Sequence, residues 1–129
     1  EVVVWREIKH ENLLPLYGLY VGIGQLPAMV SPWCEHGDIN AYLKSCEGVS
    51  TSMKVTLLLE VLQGLRYLHG YMPVIVHGDI KGANILVTRD GIARLCDFGF
   101  ASVHAELSSV MTSTTAVKGT LRWMAPELF

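Results

Sequence analysis

Apolar positions along the chain fall into short runs, and the period of each run predicts its element. Val4, Trp5 and Ile8 share one face at helical spacing, so residues 1–9 read as the end of a helix that Asn12 and Pro15 break. Residues 14–20 read as a strand, Gly22-Ile23-Gly24-Gln25 as a turn and residues 28–31 as a second strand, together a hairpin. Gly22 and Gly24 also suggest a phosphate-binding loop. Pro27 stands where its third glycine would fall and no helix follows, so the turn reading stands. Residues 32–37 form a short connector, and Asp38 is placed to cap a helix running through Ile39, Tyr42 and Leu43. Thr51 or Ser52 caps a longer helix. Its Leu57, Leu58, Val61, Leu62, Leu65 and Leu68 make an apolar stripe, and Gly70 and Pro73 stop it. Val74-Ile75-Val76 is a short β-type run. Residues 85–87 and 93–96 flank Thr88-Arg89-Asp90-Gly91, a strong hairpin signal. Residues 98–118 show no period, and a loop of that length in a compact domain is usually functional.

Composition narrows the class. Half of the 129 residues are apolar and 17% are charged, against roughly 25% in soluble domains, which excludes a disordered tail. Ten Lys and Arg against twelve Asp and Glu leave a net charge of −2 with no basic cluster. No nucleic-acid or anionic-membrane partner is therefore expected. The apolar runs fall short of the ~20 residues that span a bilayer. The length fits one modest domain or a piece of a larger one, and a start at Glu1 instead of Met reads as a fragment. Cys34, Cys46 and Cys96 cannot all pair with one another and match no metal-site spacing. They read as reduced thiols in a cytoplasmic protein.

Polar groups suited to metal and phosphate chemistry gather between residues 76 and 98. Asp79 and Asn84 lie on one short loop, and Asp97 follows across the 88–91 turn. Two strands joined by a tight turn bring their outer ends side by side, so Asn84 and Asp97 should be neighbours. A carboxylate beside an amide oxygen suits a hard cation such as Mg²⁺. Lys81 adds a positive charge for phosphate oxygens, and Asp79 remains to receive a proton or orient a hydroxyl.

The ordered combination is more specific than its parts. His77-Gly78-Asp79-Ile80-Lys81-Gly82-Ala83-Asn84 resembles the catalytic loop of protein kinases. Asp97-Phe98-Gly99 resembles their metal-binding triplet, and Ala125-Pro126-Glu127 the triplet closing their activation segment. The resemblance covers the whole chain and implies an α+β, two-lobe fold, present in part. Residues 1–30 would supply the end of helix C and strands 4 and 5 of the small lobe. Residues 31–37 would be the hinge, and 38–129 the large lobe through the activation segment. The implied chemistry is transfer of phosphate from ATP with Mg²⁺ to a protein substrate. Asp79 would be the base, Lys81 would contact the transferred phosphate, and Asn84 and Asp97 would hold the metal. The segment His10-Glu11-Asn12-Leu13-Leu14 resembles the entry to strand 4, which puts Glu1 where the helix-C glutamate falls. In the nucleotide site, Ser31 would be a small gatekeeper, Pro32 and Cys34 would offer backbone groups to adenine, and Leu86 would join them. His77 and Phe98, with Trp5 and Leu16, match a buried stack that aligns the lobes. Lys81 after Asp79 resembles serine/threonine kinases more than receptor-type tyrosine kinases, and the run from Gly119 to Glu127 resembles the tyrosine-kinase-like group, whose members mostly modify Ser and Thr.

Gly78 departs from the family, where an Arg precedes the catalytic Asp and meets a phosphate on the activation loop. Its loss implies activity that depends little on phosphorylation of Ser108, Ser109, Thr112, Ser113, Thr114 or Thr115. The Gly-rich loop and the lysine strand would precede Glu1, and the rest of the large lobe would follow Phe129. The isolated piece is expected neither to fold stably nor to transfer phosphate. The rival reading is a pseudokinase, a scaffold that binds nucleotide or partners without chemistry. A phosphotransferase acting on small molecules is a third reading, weakened by the resemblance of residues 119–127 to a peptide-positioning segment.

Overall fold

The computed structural model describes residues 2–22, 24, 26–46, 48–97, 102–103 and 121–128. The order along the chain is α1 (Val2–Glu7), β1 (Gly18–Tyr20), β2 (Ala28–Val30), α2 (Ile39–Ser45), α3 (Thr51–His69), β3 (Ile75–Val76), a 3₁₀ turn (Gly82–Asn84), β4 (Ile85–Val87), β5 (Ala93–Leu95) and β6 (Ser102–Val103). Two more 3₁₀ turns follow, Leu121–Trp123 and Pro126–Leu128. The strands pair as three antiparallel ribbons, β1 with β2, β3 with β6 and β4 with β5. No described helix is long and apolar enough to cross a membrane. The mixture of small sheets and helices is the α+β fold expected of a partial kinase-like domain.

The first hairpin forms, but later than the pattern predicts. Leu14 donates its N–H to Leu95 O at 2.8 Å, and Leu13 bridges Leu95 in parallel. Pro15 has no N–H to donate. The β1–β2 ladder therefore takes over only from Tyr17, whose N–H reaches Val30 O at 2.8 Å, and it ends at Val30, one residue before Ser31. Trp5 and Ile8 are buried as expected, and Trp5 Nε1 donates to Leu14 O at 2.6 Å. That bond ties α1 to the segment that crosses to β5.

Both predicted helices form. Asp38 caps α2 by accepting from the N–H groups of Asn40 and Ala41. The cap of α3 is Ser50, one residue before the predicted Thr51 or Ser52. Ser50 holds the extended backbone (φ −67°, ψ 154°) that a cap needs and accepts from Met53 N–H. The buried face of α3 is Leu57, Val61, Gly64 and Leu68, with Leu65 partly covered. Leu58 and Leu62, predicted to face the core, point outward with Val55 and Leu59. The helix is apolar on two sides, and β5 selects the side with the glycine. A Cβ at Gly64 would lie 2.8 Å from Asn12 O, 3.2 Å from Leu13 Cδ2 and 3.3 Å from Leu95 Cδ1.

The β4–β5 hairpin has the predicted turn, closed by Thr88 N–H to Ile92 O and Gly91 N–H to Thr88 O. Its register pairs Ile85 with Leu95, Leu86 with Arg94 and Val87 with Ala93. Val87, Ala93 and Leu95 are wholly buried in one core with Leu13, Leu57, Leu68 and Ile75.

The tightness at Gly64 sets a prediction. In the full-length protein that carries this segment, Gly64→Ala gains ~1 kcal/mol of helix propensity and incurs ~1–3 kcal/mol of overpacking. The atom struck is a backbone oxygen fixed by Leu95 N–H, so the upper end of that range applies. A melting temperature lower by about 2–8 °C is expected, with the exposed control Lys54→Ala unchanged. An equal or higher value for Gly64→Ala contradicts the close approach.

Candidate active site

The loop between β3 and β4 is the polar centre of the structure. Asp79 is 4% exposed. Burying a carboxylate is costly unless donors meet it. Lys81 Nζ lies 2.6 Å from Asp79 Oδ2, and Asn84 Nδ2 donates to the same oxygen at 2.9 Å and to Asp79 O at 2.8 Å. Asp79, Lys81 and Asn84 thus form one cluster, as the spacing predicts. The 3₁₀ turn makes this possible: Asn84 N–H reaches Lys81 O at 2.9 Å, which folds the loop back so that Asn84 meets Asp79.

Asn84 also extends the β4–β5 hairpin, because its carbonyl accepts from Cys96 N–H at 2.9 Å. Asp97 is the next residue, so the hairpin brings Asn84 and Asp97 to the same end, as predicted. Asp97 has φ 61°, the one positive value among described residues other than glycine. Such a conformation costs ~1–3 kcal/mol and persists where the surroundings impose it, commonly at functional sites. Asp97 is exposed. The donor set fits Mg²⁺. Asn84 uses its Nδ2 on Asp79, which leaves Oδ1 for a cation, and Asp97 supplies an exposed carboxylate. Two protein ligands are usual for a metal that keeps waters and takes substrate phosphates.

His77 has a polar role that sequence reasoning missed. The ring is 1% exposed; its Nε2 lies 3.0 Å from Cys96 O, and its Nδ1 lies 3.3 Å from Asp79 N. A carbonyl only accepts, so Nε2 carries the proton and Nδ1 accepts from Asp79 N–H. This is the neutral imidazole, and burial lowers the histidine's pKa to favour it. His77 therefore ties the Asp79 loop to the residue before Asp97. A histidine two residues before a buried aspartate was the available signal, but the resemblance places it only in a buried stack. Trp5 and Leu16, its expected companions there, are both buried in the common core.

The connector after β2 lies against β4. His36 N–H donates to Val87 O at 3.3 Å, Val87 N–H donates to Gly37 O at 2.9 Å, and Asp38 bridges Leu86. This seam sets residues 36–38 beside Leu86 and Val87. Ser31, Pro32 and Leu86 are half-buried and Cys34 is buried. Cys34 O accepts from Gly37 N–H, while Cys34 N–H has no partner among the described residues. Glu1, Phe98, Gly99, Gly119, Thr120 and the hydroxyl-rich run 108–115 lie outside the described residues. Ala125 is half-buried and Glu127 is exposed at the end of the chain.

All three cysteines are free. Burial pushes the Cys34 thiol up, and burial with the nearby Asp97 and Cys34 pushes Cys96 up to about 12. The thiolate is the reactive form. Brief iodoacetamide treatment of the folded full-length protein at pH 8 should therefore modify the more accessible Cys46 at least about tenfold faster than Cys34 or Cys96. Equal rates by peptide mapping would show that the two thiols are not sealed in the core.

The model of the protein kinase domain matches residues 1–129. The chain is 33% identical over 127 residues to a probable serine/threonine-protein kinase of Dictyostelium discoideum, covering 98% of this chain and 24% of that protein. It is 34% identical over 128 residues to the cytokinesis protein sepH of Emericella nidulans, covering 99% of this chain and 9% of that protein. It is also 34% identical over 128 residues to the cell division control protein 7 of Schizosaccharomyces pombe, covering 99% and 11%. The chain spans about a quarter or less of the length of these relatives. By its motifs, its fold and the match along its whole length, this chain belongs to the protein kinase domain family.

Proposed function

We propose that this chain is the central part of an active kinase that transfers the γ-phosphate of ATP to serine or threonine hydroxyls of protein substrates. The observation that carries the reading is the Asp79 carboxylate, buried and held by Lys81 and Asn84. Asp79 orients the substrate hydroxyl and accepts its proton. Lys81, partly exposed, sets its positive charge beside that point and favours the arriving phosphate. Asn84 Oδ1 and Asp97 would hold Mg²⁺, which when bound would neutralise phosphate charge. The open N–H of Cys34 and the carbonyl of Pro32 take the adenine, with Ser31 and Leu86 bordering it. The serine/threonine preference is supported by Lys81 and by the name of the Dictyostelium relative. Retention of Asp79, Lys81, Asn84 and Asp97 favours catalysis over the scaffold alternative.

Gly78 supports a second element of the reading. Its φ is +81°, in the region that residues with a Cβ rarely adopt. The backbone before Asp79 is thus set by a glycine, with no guanidinium to meet a phosphate. Activity independent of activation-loop phosphorylation follows.

Two measurements test these points, both on the longest protein carrying this segment. Phosphate transfer from labelled ATP-Mg to a generic protein substrate is expected, with phosphoserine and phosphothreonine as products. Asp79→Asn and Asp97→Asn should each reduce it by about 10²–10⁴-fold. Transfer that persists in both variants contradicts the roles given to Asp79 and Asp97, and none from the folded wild type moves the assignment to the scaffold. Complete dephosphorylation should leave the rate unchanged, and a loss of tenfold or more contradicts the role given to Gly78.

A further inference from the structure

A crevice of about 490 Å³ opens on a flank of α3, lined by His10, Gln63, Arg66, Tyr67, Gly70 and Tyr71. None of these residues belongs to the Asp79 loop or to the hinge seam. The volume lies in the range of small-molecule sites, ~300–1,000 Å³. One wall is aromatic. The Tyr67 ring stands 5.0 Å from His10 and 6.1 Å from Tyr71, tilted to both. The wall is fixed by polar contacts outside the crevice: Lys9 N–H donates to Tyr67 Oη at 3.3 Å, and Asn12 N–H donates to His10 Nδ1 at 3.1 Å.

The polar groups that remain are mostly donors. His10 accepts at Nδ1, so Nε2 carries the proton and has no partner among the described residues. The Arg66 guanidinium and the Gln63 amide make no side-chain bond among the described residues either. Among the described residues, no carboxylate lines the crevice. The carboxyl end of a helix is itself slightly negative, which opposes an anion. Here Gly70 N–H is given to Arg66 O and Leu68 O, and Tyr71 N–H to Leu68 O. The full charge on Arg66 therefore outweighs what is left of the helix end.

We infer that this crevice binds an aryl phosphate, its ring against Tyr67 and Tyr71 and its phosphate on Arg66 and His10 Nε2–H. A guanidinium meets phosphate with two parallel hydrogen bonds, and the aromatic wall selects for an attached ring. The same chemistry is offered by a free aryl phosphate or by a phosphotyrosine side chain on a peptide.

The test is a binding titration of the full-length protein by NMR or calorimetry. The probes are phenyl phosphate, inorganic phosphate and a short phosphotyrosine peptide. Saturable binding of phenyl phosphate is expected, at least tenfold tighter than inorganic phosphate. Arg66→Gln should weaken it at least tenfold while the protein melts as the wild type does, because Arg66 is exposed. His10→Ala serves as a second variant with the same expected loss. Lys81→Ala should leave the affinity unchanged, which separates the crevice from the phosphate position near Asp79. A peptide that binds more tightly than phenyl phosphate marks a protein tail as the source, and equal affinity marks a small molecule. No saturation, equal affinity for inorganic phosphate, an unaffected Arg66→Gln protein, or loss of binding in Lys81→Ala overturns the assignment.

Discussion

A buried strand must have every backbone group paired, and β5 meets that demand from three directions. On one edge it carries the antiparallel ladder of β4. On the other, Leu95 donates to Asn12 O and accepts from Leu14 N–H. Ala93 lies beyond that ladder's reach, and two side chains complete it. Glu60 Oε2 accepts from Ala93 N–H at 2.7 Å, and Asn12 Nδ2 donates to Ala93 O at 3.1 Å. The segment from Asn12 to Leu14, helix α3 and the hairpin are thereby fixed to a single three-residue strand. The pressure on Gly64 follows, because α3 must approach closely enough for Glu60 to reach.

The polar centre inherits its position from the same strand. Leaving β5, the chain offers Cys96 N–H to Asn84 O and Cys96 O to His77 Nε2. These bonds hold both ends of the Asp79 loop. The neutral His77 contributes direction without charge, so the buried carboxylate takes its compensation from Lys81 and Asn84. Asp97, one step beyond, adopts its unfavourable φ where the last ladder bonds end. Positioning and chemistry are thus divided between adjacent residues.

Much of this was legible in the sequence, for local reasons. Asp38 has one plausible place as a cap, and Asp90-Gly91 one plausible turn. The cluster of Asp79, Lys81 and Asn84 closes within six residues. What was not legible depends on distant partners. Ser50, Thr51 and Ser52 carry the same hydroxyl chemistry, and only the backbone break distinguishes the true cap. Leu58 and Leu62 satisfy the helical period as well as Leu57 and Val61 do. The side that turns inward is chosen by Gly64, which has no hydropathy signal of its own. Pro15 foreshadowed the late start of β1, but the diversion of Leu14 to Leu95 needs a partner 81 residues away. The pairing of β3 with β6 lay equally beyond any local pattern.

The separation of Asn12 from Ala93 has a consequence for synthesis. Their bond spans 81 residues, whereas the bonds of Asp79 to Lys81 and Asn84 span two and five. At ~5–20 residues per second on the ribosome, Asn12 waits on the order of 4–16 s before its acceptor exists. Throughout that interval the strap from Asn12 to Leu14 has no strand to join, and Trp5 and Ile8 have no finished core. Residues 5–14 are therefore made well before they can be placed, and stay open to cellular chaperones until β5 has been translated.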